Sequence, residues 1–109
     1  LLLVLDTGAR SQLGPLAAYV DARLDRTLLI DHHLSGDVIA PHRVIDPSAA
    51  ATCELISELL DLLGVFTLLT SPQAEGDDQR VLNTVATALY GGIASDTGWF
   101  RFSNTTSRT

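Results

Sequence analysis

The sequence lacks several features that would place it in common classes of protein. It has no methionine and a single cysteine among 109 residues, so an internal disulfide is excluded and a reducing, cytoplasmic setting is favoured. The apolar run at residues 1–5 is far too short to span a bilayer, and it has no basic flank or cleavage site. Because Leu1 is not an initiator methionine, we expect the chain to be part of a longer protein.

Basic residues are also scarce. Seven Lys and Arg residues stand against thirteen Asp and Glu residues, which gives a formal net charge of −6 at pH 7. A groove for a long nucleic acid normally carries a basic stripe, because phosphate neutralisation supplies most of the non-specific affinity. The composition therefore disfavours long DNA as a substrate. It is compatible with an acidic metal pocket for a small substrate, and also with an ordinary solvated surface.

The sequence does contain two apolar runs that end abruptly in polar side chains. Residues 1–5 form an unbroken apolar run that stops at Asp6, and residues 27–30 form a second run that stops at an Asp-His-His tripeptide. Continuous apolar character predicts strands covered on both faces, as in a parallel sheet. Residues 11–22 are compatible with a short helix that has Pro15 in its first turn. Together these elements predict a right-handed βαβ unit.

The remaining sequence predicts one extended segment and two helices. Residues 42–47 predict a short edge strand. Residues 48–63 have the apolar spacing of one helical face, with Gly64 as the expected stop. Residues 65–76 are uninformative, and a second helix is predicted from residue 77 or 78 into the glycine pair at 91–92, where the backbone can approach another element. The predicted fold class is α/β, with a mainly parallel β-sheet flanked by helices.

The carboxyl ends of the two predicted strands carry the candidate site. Asp6 and the tripeptide Asp31-His32-His33 should emerge at one sheet edge, which is where open α/β sheets bind ligands. Asp96 precedes a Thr-Gly turn that could return its carboxylate to the same crevice. Carboxylates and imidazoles without thiolates suit Mn²⁺, Mg²⁺ or Zn²⁺. Two such ions about 3.5–4 Å apart can clamp an in-line phosphoryl displacement.

Three motifs resemble those of the DHH phosphoesterase superfamily, and within it bacterial enzymes of the nanoRNase and pAp-phosphatase type. They are Leu5-Asp6-Thr7, Asp31-His32-His33 after a hydrophobic strand, and the segment 92–100 with Asp96-Thr97-Gly98, in the family's order. The resemblance implies that residues 1–109 are a partial DHH catalytic domain. The family's earlier motif, with a His and two Asp, and its smaller C-terminal substrate domain are not in this sequence.

The resemblance also implies a set of metal ligands. Asp6 matches the carboxylate that bridges two ions, and His32 and Asp96 match further ligands. The implied cofactor is Mn²⁺, with two ions in the intact protein and Mg²⁺ or Co²⁺ as alternatives.

Three further residues receive roles from the same resemblance. Asp31 would hold His32 in the correct tautomer, a role that raises the basicity of a metal ligand. His33 would contact a phosphate oxygen of the substrate or help the leaving group. Thr52, at the start of a predicted helix, matches a Ser/Thr-rich segment of the relatives that approaches the substrate.

The implied activity is metal-dependent hydrolysis of short oligoribonucleotides or 3′-phosphoadenosine 5′-phosphate (pAp). Cyclic dinucleotides, single-stranded DNA and pyrophosphate, which other superfamily members cleave, stay open as substrates. A non-catalytic nucleotide-binding or regulatory module of the same fold is the alternative from another class. A folded but inert piece is a third alternative, in which an uncovered strand edge would allow a homodimer to form.

Other conspicuous side chains have simpler interpretations. We expect Trp99 and Phe100 to anchor a turn in the core rather than stack on a base. His42 and Arg43 are typical of the surface beside an edge strand. Cys53 lies early in a helix without a nearby base, so a role as a nucleophile is not expected.

Overall fold

A parallel three-stranded sheet forms the centre of the part of the chain that the structure describes. The structure is a computed structural model, and it describes residues 1–38, 40–73 and 76–109. The strands are β1 (Leu2–Leu5), β2 (Thr27–Asp31) and β3 (His42–Ile45), in the order β1-β2-β3. Both neighbouring pairs are parallel. The predicted α/β class with a parallel sheet is confirmed, and so is the edge strand predicted within residues 42–47.

The register of the sheet brings the carboxyl ends of β1 and β2 together. Leu5 pairs with Ile30, and the first residue after β1 continues the ladder, because the Asp6 N–H donates to the Ile30 carbonyl at 3.0 Å. On the other side, Asp31 pairs with Ile45. The side chains that follow the two apolar runs therefore lie next to each other at one edge.

The connection between β1 and β2 is more broken than predicted. Instead of one helix over residues 11–22, it contains two short α-helices and two 3₁₀ turns: α1 (Arg10–Leu13), Gly14–Leu16, α2 (Ala17–Asp21) and Leu24–Arg26. The cause is the Gly14-Pro15 pair. Gly14 has a φ of +53°, which is incompatible with a right-handed helix, and proline lacks the N–H that a helix interior needs.

Burial differs between the two apolar strands. The three side chains of β2 at Leu29, Ile30 and Asp31 are 2%, 3% and 1% exposed, as predicted for a strand covered on both faces. In β1, Val4 is buried, but Leu3 and Leu5 are 48% and 42% exposed. The prediction of two covered faces is therefore wrong for β1. Alternate side chains of a strand point to opposite faces, and β1 lies at the edge of the described sheet.

Three helices follow the sheet: α3 (Thr52–Leu62), α4 (Val65–Leu69) and α5 (Gly76–Asp96). Helix α3 covers one face of β2, where Leu55 and Ala49 pack on Ile30. It ends as predicted, because Gly64 follows it in the left-handed region with a φ of +71°. Within the described ranges, every helix is too short or too polar to cross a bilayer.

Helix α5 packs mainly against α3 and α4 rather than directly on the sheet. It runs through the glycine pair, and at Gly92 an added Cβ would clash with the Cys53 Sγ atom. The predicted close approach at this pair is thus confirmed. It brings the end of α5, with Asp96 as its last residue, to the start of α3.

Candidate metal centre

The side chain of His32 occupies the middle of the candidate site. Its Nδ1 atom lies 3.2 Å from the Ala49 carbonyl oxygen, and because a carbonyl can only accept, the neutral ring carries its hydrogen on Nδ1. The Nε2 atom then faces two carboxylates, 3.7 Å from Asp6 Oδ1 and 3.6 Å from Asp96 Oδ2. Both distances are longer than a hydrogen bond. A proton on Nε2, or a cation between the three atoms, would offset the electrostatic repulsion among the two carboxylates and the Nε2 lone pair.

Asp6 is held in an unusual backbone conformation. Its φ is +63°, a left-handed value that costs free energy for most residues but that aspartate tolerates better than others. Strain of this kind is concentrated at functional sites. The carboxylate is fixed by Thr52, whose hydroxyl donates to Asp6 Oδ1 at 2.7 Å.

The same edge collects enough donors for a cation. Asp6, His32 and His33 each offer one ligand atom, and these atoms lie within 4.8 Å of one another. Asp96 joins them through its carboxylate near His32. Oxygen and imidazole nitrogen donors without a thiolate fit a divalent ion such as Mn²⁺ or Mg²⁺. The structure thus brings together the three residues that the sequence assigned as metal ligands.

Asp31 is bonded to a different histidine from the one expected. It is 1% exposed, and its Oδ1 atom accepts from His33 Nδ1 at 2.7 Å and from the N–H groups of His32 and His33 at 2.8 and 3.1 Å. The expectation that Asp31 holds the tautomer of His32 is wrong, because the Ala49 carbonyl takes that position. Asp31 instead orients His33, the candidate substrate-facing residue.

The pKa values of this pair move apart. Burial would raise the pKa of Asp31, but the hydrogen bonds from the ring and main chain of His33, together with its charge and the His32 N–H, lower it on balance. The hydrogen bond to Asp31 raises the pKa of His33, with support from the charges of Asp31, Asp6 and Asp96 and against partial burial. Both shifts favour an ionised pair, so His33 holds a proton more readily than a free imidazole.

The pKa values of Asp96 and Cys53 are both raised. Burial and the charge of Asp6 raise the pKa of Asp96, although both imidazoles work against this. Crowded carboxylates of this kind are stabilised by a cation. Burial, followed by the charges of Asp96 and Asp6, also raises the pKa of the Cys53 thiol. The thiol therefore stays protonated, in agreement with the expectation that Cys53 is not a nucleophile.

Thr52 lies at the site but is directed to a protein group. It is 4% exposed, and its hydroxyl donates to Asp6. Its contact with a substrate stays a prediction. The structure gives the hydroxyl a second role, which is to fix the carboxylate at the centre of the site.

The two aromatic residues after Asp96 lie at the surface and not in the core. Trp99 and Phe100 are 68% and 41% exposed, so the expectation that they anchor a turn in the core is wrong. Gly98, Trp99 and Phe100 have φ values of +56°, +58° and +62°, and this left-handed turn directs the chain back over the buried Thr97. The expectation of exposed residues at His42 and Arg43 is confirmed.

Comparison with known proteins establishes the family. The model of the DHH family, N-terminal domain, matches residues 1–93. The chain therefore belongs to the DHH family.

Two known proteins that resemble the chain are much longer than it is, and the chain spans less than a third of each. It is 42% identical over 77 residues to the bifunctional oligoribonuclease and PAP phosphatase NrnA of Thermus thermophilus, covering 71% of this chain and 19% of that protein. The crystal structure of an exopolyphosphatase-related protein from Bacteroides fragilis superimposes with a TM-score of 0.72 at 22% identity, covering 96% of this chain and 28% of that one. At that identity, the second likeness shows the fold alone.

Proposed function

We propose that the protein containing this chain is a metal-dependent phosphoesterase that hydrolyses short oligoribonucleotides, pAp or both. The observation that carries the proposal is the position of His32 Nε2 between the carboxylates of Asp6 and Asp96. Membership of the DHH family and the 42% identity to a bifunctional oligoribonuclease and PAP phosphatase support the choice of substrates.

In this proposal Asp6, His32 and Asp96 hold Mn²⁺, with Mg²⁺ or Co²⁺ as alternatives. Bound divalent ions would lower the pKa of a water nucleophile and offset the charge that develops on the phosphoryl group. The Ala49 carbonyl keeps the Nδ1 hydrogen of His32 in place, so that Nε2 is free to bind a metal. Outer contacts of this type are a usual part of metal sites.

His33 is the residue we assign to the substrate. It is more exposed than His32, with 53% of its side chain accessible against 15%. Asp31 accepts from Nδ1 and raises the pKa of the ring, so the ring takes a second proton on Nε2 more readily and would donate it to a phosphate oxygen or to the leaving oxygen. A positioned acid of this kind contributes about 10²–10⁴-fold to a rate. Asp31 would act through the orientation of His33.

The test is hydrolysis of a labelled RNA pentamer and of pAp by the full-length protein, with Mn²⁺ or with EDTA. The variant His32→Ala should abolish turnover. His42→Ala provides a matched control, because His42 is an exposed imidazole at the opposite end of the sheet, where it pairs with Leu28. It should leave turnover unchanged.

The result also separates the two classes of function. Turnover that needs Mn²⁺ and is lost only in His32→Ala supports the phosphoesterase and ranks the two substrates. A protein that binds nucleotide but hydrolyses neither substrate would instead be a non-catalytic binding module.

A further inference from the structure

The side chain of Asn104 joins two segments that are far apart in the sequence. Its Nδ2 atom donates to the Ala50 carbonyl oxygen at 3.1 Å and to the Asp96 carbonyl oxygen at 3.3 Å. A single amide nitrogen therefore donates one hydrogen bond to the loop before α3 and a second one to the last residue of α5. An amide NH₂ group is suited to this, since it has two donors on one atom.

The loop on one side of this bridge and the first residue of α3 each make one contact with the candidate metal centre. The carbonyl of Ala49 fixes the His32 ring, and the hydroxyl of Thr52 fixes the Asp6 carboxylate. The three alanines of the loop, residues 49–51, are 4%, 1% and 0% exposed. Because these residues are buried and adjacent in the chain, a displacement of Ala50 would move the partners of His32 and Asp6 together.

The helix end on the other side carries the third candidate ligand. The carbonyl of Asp96 accepts from Asn104, and its carboxylate lies 3.6 Å from His32 Nε2. The last carbonyls of a helix have no partner within the helix. Those of Ala94 and Ser95 accept from the N–H groups of the following turn, and that of Asp96 accepts from Asn104. Asn104 therefore links the loop that holds the His32 ring to the residue whose carboxylate faces that ring.

A second residue of the same C-terminal segment holds the loop further upstream. Arg108 donates to Asp46 Oδ2 at 2.8 Å and to the Ser48 hydroxyl at 3.1 Å. Asn104 differs from Arg108 because it bonds both to the loop that holds His32 and to Asp96.

We propose that Asn104 is a positioning residue that sets the spacing of Asp96 and His32 at the metal centre. The inference rests on the proposed metal-dependent function. Asn104 would act through its hydrogen bonds to two main-chain carbonyls, which gives a role to the polar segment after the last motif.

Two variants remove the bridge to different degrees. Asn104→Ala removes both donors, whereas Asn104→Asp keeps the shape and directs carboxylate oxygens at two carbonyl oxygens. Loss of an outer contact of a metal ligand costs about 10–100-fold in metal affinity or activity. We expect a rise in the Mn²⁺ dissociation constant of about tenfold in the alanine variant and a larger rise in the aspartate variant.

The aspartate variant also separates position from charge. An added negative charge near a cation site would tighten Mn²⁺ binding if position were unimportant. Asn83→Asp is the matched control, since Asn83 is exposed on α5 and its Oδ1 atom accepts from Gln79 at 3.0 Å, a bond that a carboxylate preserves. The control should bind Mn²⁺ as the unchanged protein does.

The experiment is calorimetric titration of the full-length protein and its variants with Mn²⁺, below the thermal unfolding transition of each. The second readout is the ¹⁵N spectrum of the His32 ring without metal, at a pH where imidazole is neutral. The unchanged protein should show the tautomer with hydrogen on Nδ1, and both Asn104 variants should show a mixture.

Each outcome decides the proposal. Folded Asn104 variants with unchanged Mn²⁺ affinity and an unchanged His32 spectrum would reduce Asn104 to a structural contact. If the aspartate variant does not fold, the alanine variant decides alone. An unchanged protein that binds Mn²⁺ but hydrolyses neither RNA nor pAp refutes the proposed function and leaves Asn104 to be judged by affinity. One that binds none of Mn²⁺, Mg²⁺ and Co²⁺ refutes both.

Discussion

At the scale of single residues, the site contains two histidines with different partners. His32 is bound to a main-chain carbonyl and faces carboxylates, whereas His33 is bound to the buried Asp31. Although the rings are adjacent, with centroids 4.3 Å apart, the Ala49 carbonyl leaves Nε2 as the acceptor atom of a neutral His32 ring, whereas Asp31 raises the pKa of His33. Neighbouring imidazoles can thus serve as a ligand and as an acid.

This division predicts opposite effects of two alanine substitutions. His32→Ala should weaken Mn²⁺ binding, because it removes a donor from the cluster. His33→Ala should leave Mn²⁺ affinity close to unchanged and lower kcat by about 100-fold or more. Titration calorimetry and steady-state kinetics on the same preparations measure both quantities. Equal loss of Mn²⁺ affinity in the two variants would mean that His33 is a ligand.

The pair of Asp31 and His33 also predicts a dependence of stability on pH. Folding raises the pKa of His33. The contribution of its protonated ring to the free energy of unfolding is therefore full below the unfolded pKa of about 6.5, and it is lost as the pH rises through the folded pKa. Asp31→Asn should lower the free energy of unfolding by about 1–3 kcal/mol at mildly acidic pH. The difference should shrink as the pH rises. Urea unfolding at a series of pH values checks this, and NMR titration of His33 should show a lower pKa in the variant.

At the scale of elements, the contact between α3 and α5 positions Asp96. The two helices meet where Gly92 lies against Cys53, and a glycine at this point lets the backbone of α5 approach closely. Asp96 is one helical turn further along the same helix. The distance between the helices therefore determines whether its carboxylate reaches the sheet edge.

Adding a methyl group at this contact should separate the helices. Gly92→Ala should destabilise the protein by about 1–3 kcal/mol, the usual cost of overpacking. Gly91→Ala is the control, because an added Cβ there has no neighbour within 4 Å, and it should stabilise the helix by about 0.5–1 kcal/mol. Chemical denaturation measures both.

A double variant tests whether the Cys53 side chain causes the destabilisation by Gly92→Ala. Cys53→Ala removes the Sγ atom but leaves its Cβ, which would lie 3.2 Å from the new methyl group. The cost of Gly92→Ala should therefore be smaller in this background. An undiminished cost would contradict the assigned contact.

At the scale of the whole molecule, the C-terminal segment ties the sheet to the helices. Arg108 donates to Glu58 on α3 at 2.9 Å and to Asp46 after β3 at 2.8 Å. The hydrogen bonds from Ser48 and from Arg108 lower the pKa of Asp46 to about 2. One arginine thus connects three parts of the chain.

This connection should be lost in acid. The folded pKa of Asp46 lies below the unfolded value of about 3.9, so its contribution to stability is present above about pH 4 and is lost as the pH falls towards the folded value. Asp46→Asn should be less stable than the unchanged protein at neutral pH, and the two should converge near pH 2. Thermal unfolding across this range tests the prediction, which a constant difference would contradict.

The sequence was sufficient for the parts of the molecule that depend on local pattern. Apolar runs that stop at Asp6 and at Asp31 predicted parallel strands and a shared edge, because parallel strands end on the same side. Gly64 and the glycine pair at 91–92 predicted a helix end and a close approach. These features follow from hydrophobic burial and glycine geometry, which sequence patterns report directly.

Other parts depend on contacts that leave no local pattern. The Ala49 carbonyl that fixes His32 is a main-chain group, so no side chain marks it. Asn104 reaches two carbonyls across long sequence separations, and Asp31 could have bonded either neighbouring imidazole. Trp99 is exposed in a run of three left-handed residues, two of which are not glycines and so are not marked in the sequence. Such details require the tertiary arrangement.

The candidate ligands Asp6 and Asp96 are 90 residues apart in the sequence, and this has a consequence for folding kinetics. The centre cannot exist until β1 and β2 have paired and α5 has docked on α3. Contacts of such large sequence separation form late, because closing the intervening loops costs entropy first. A divalent ion that binds only the completed arrangement will slow unfolding and report the final docking event. Mn²⁺ binding during refolding would thus time the last step of folding.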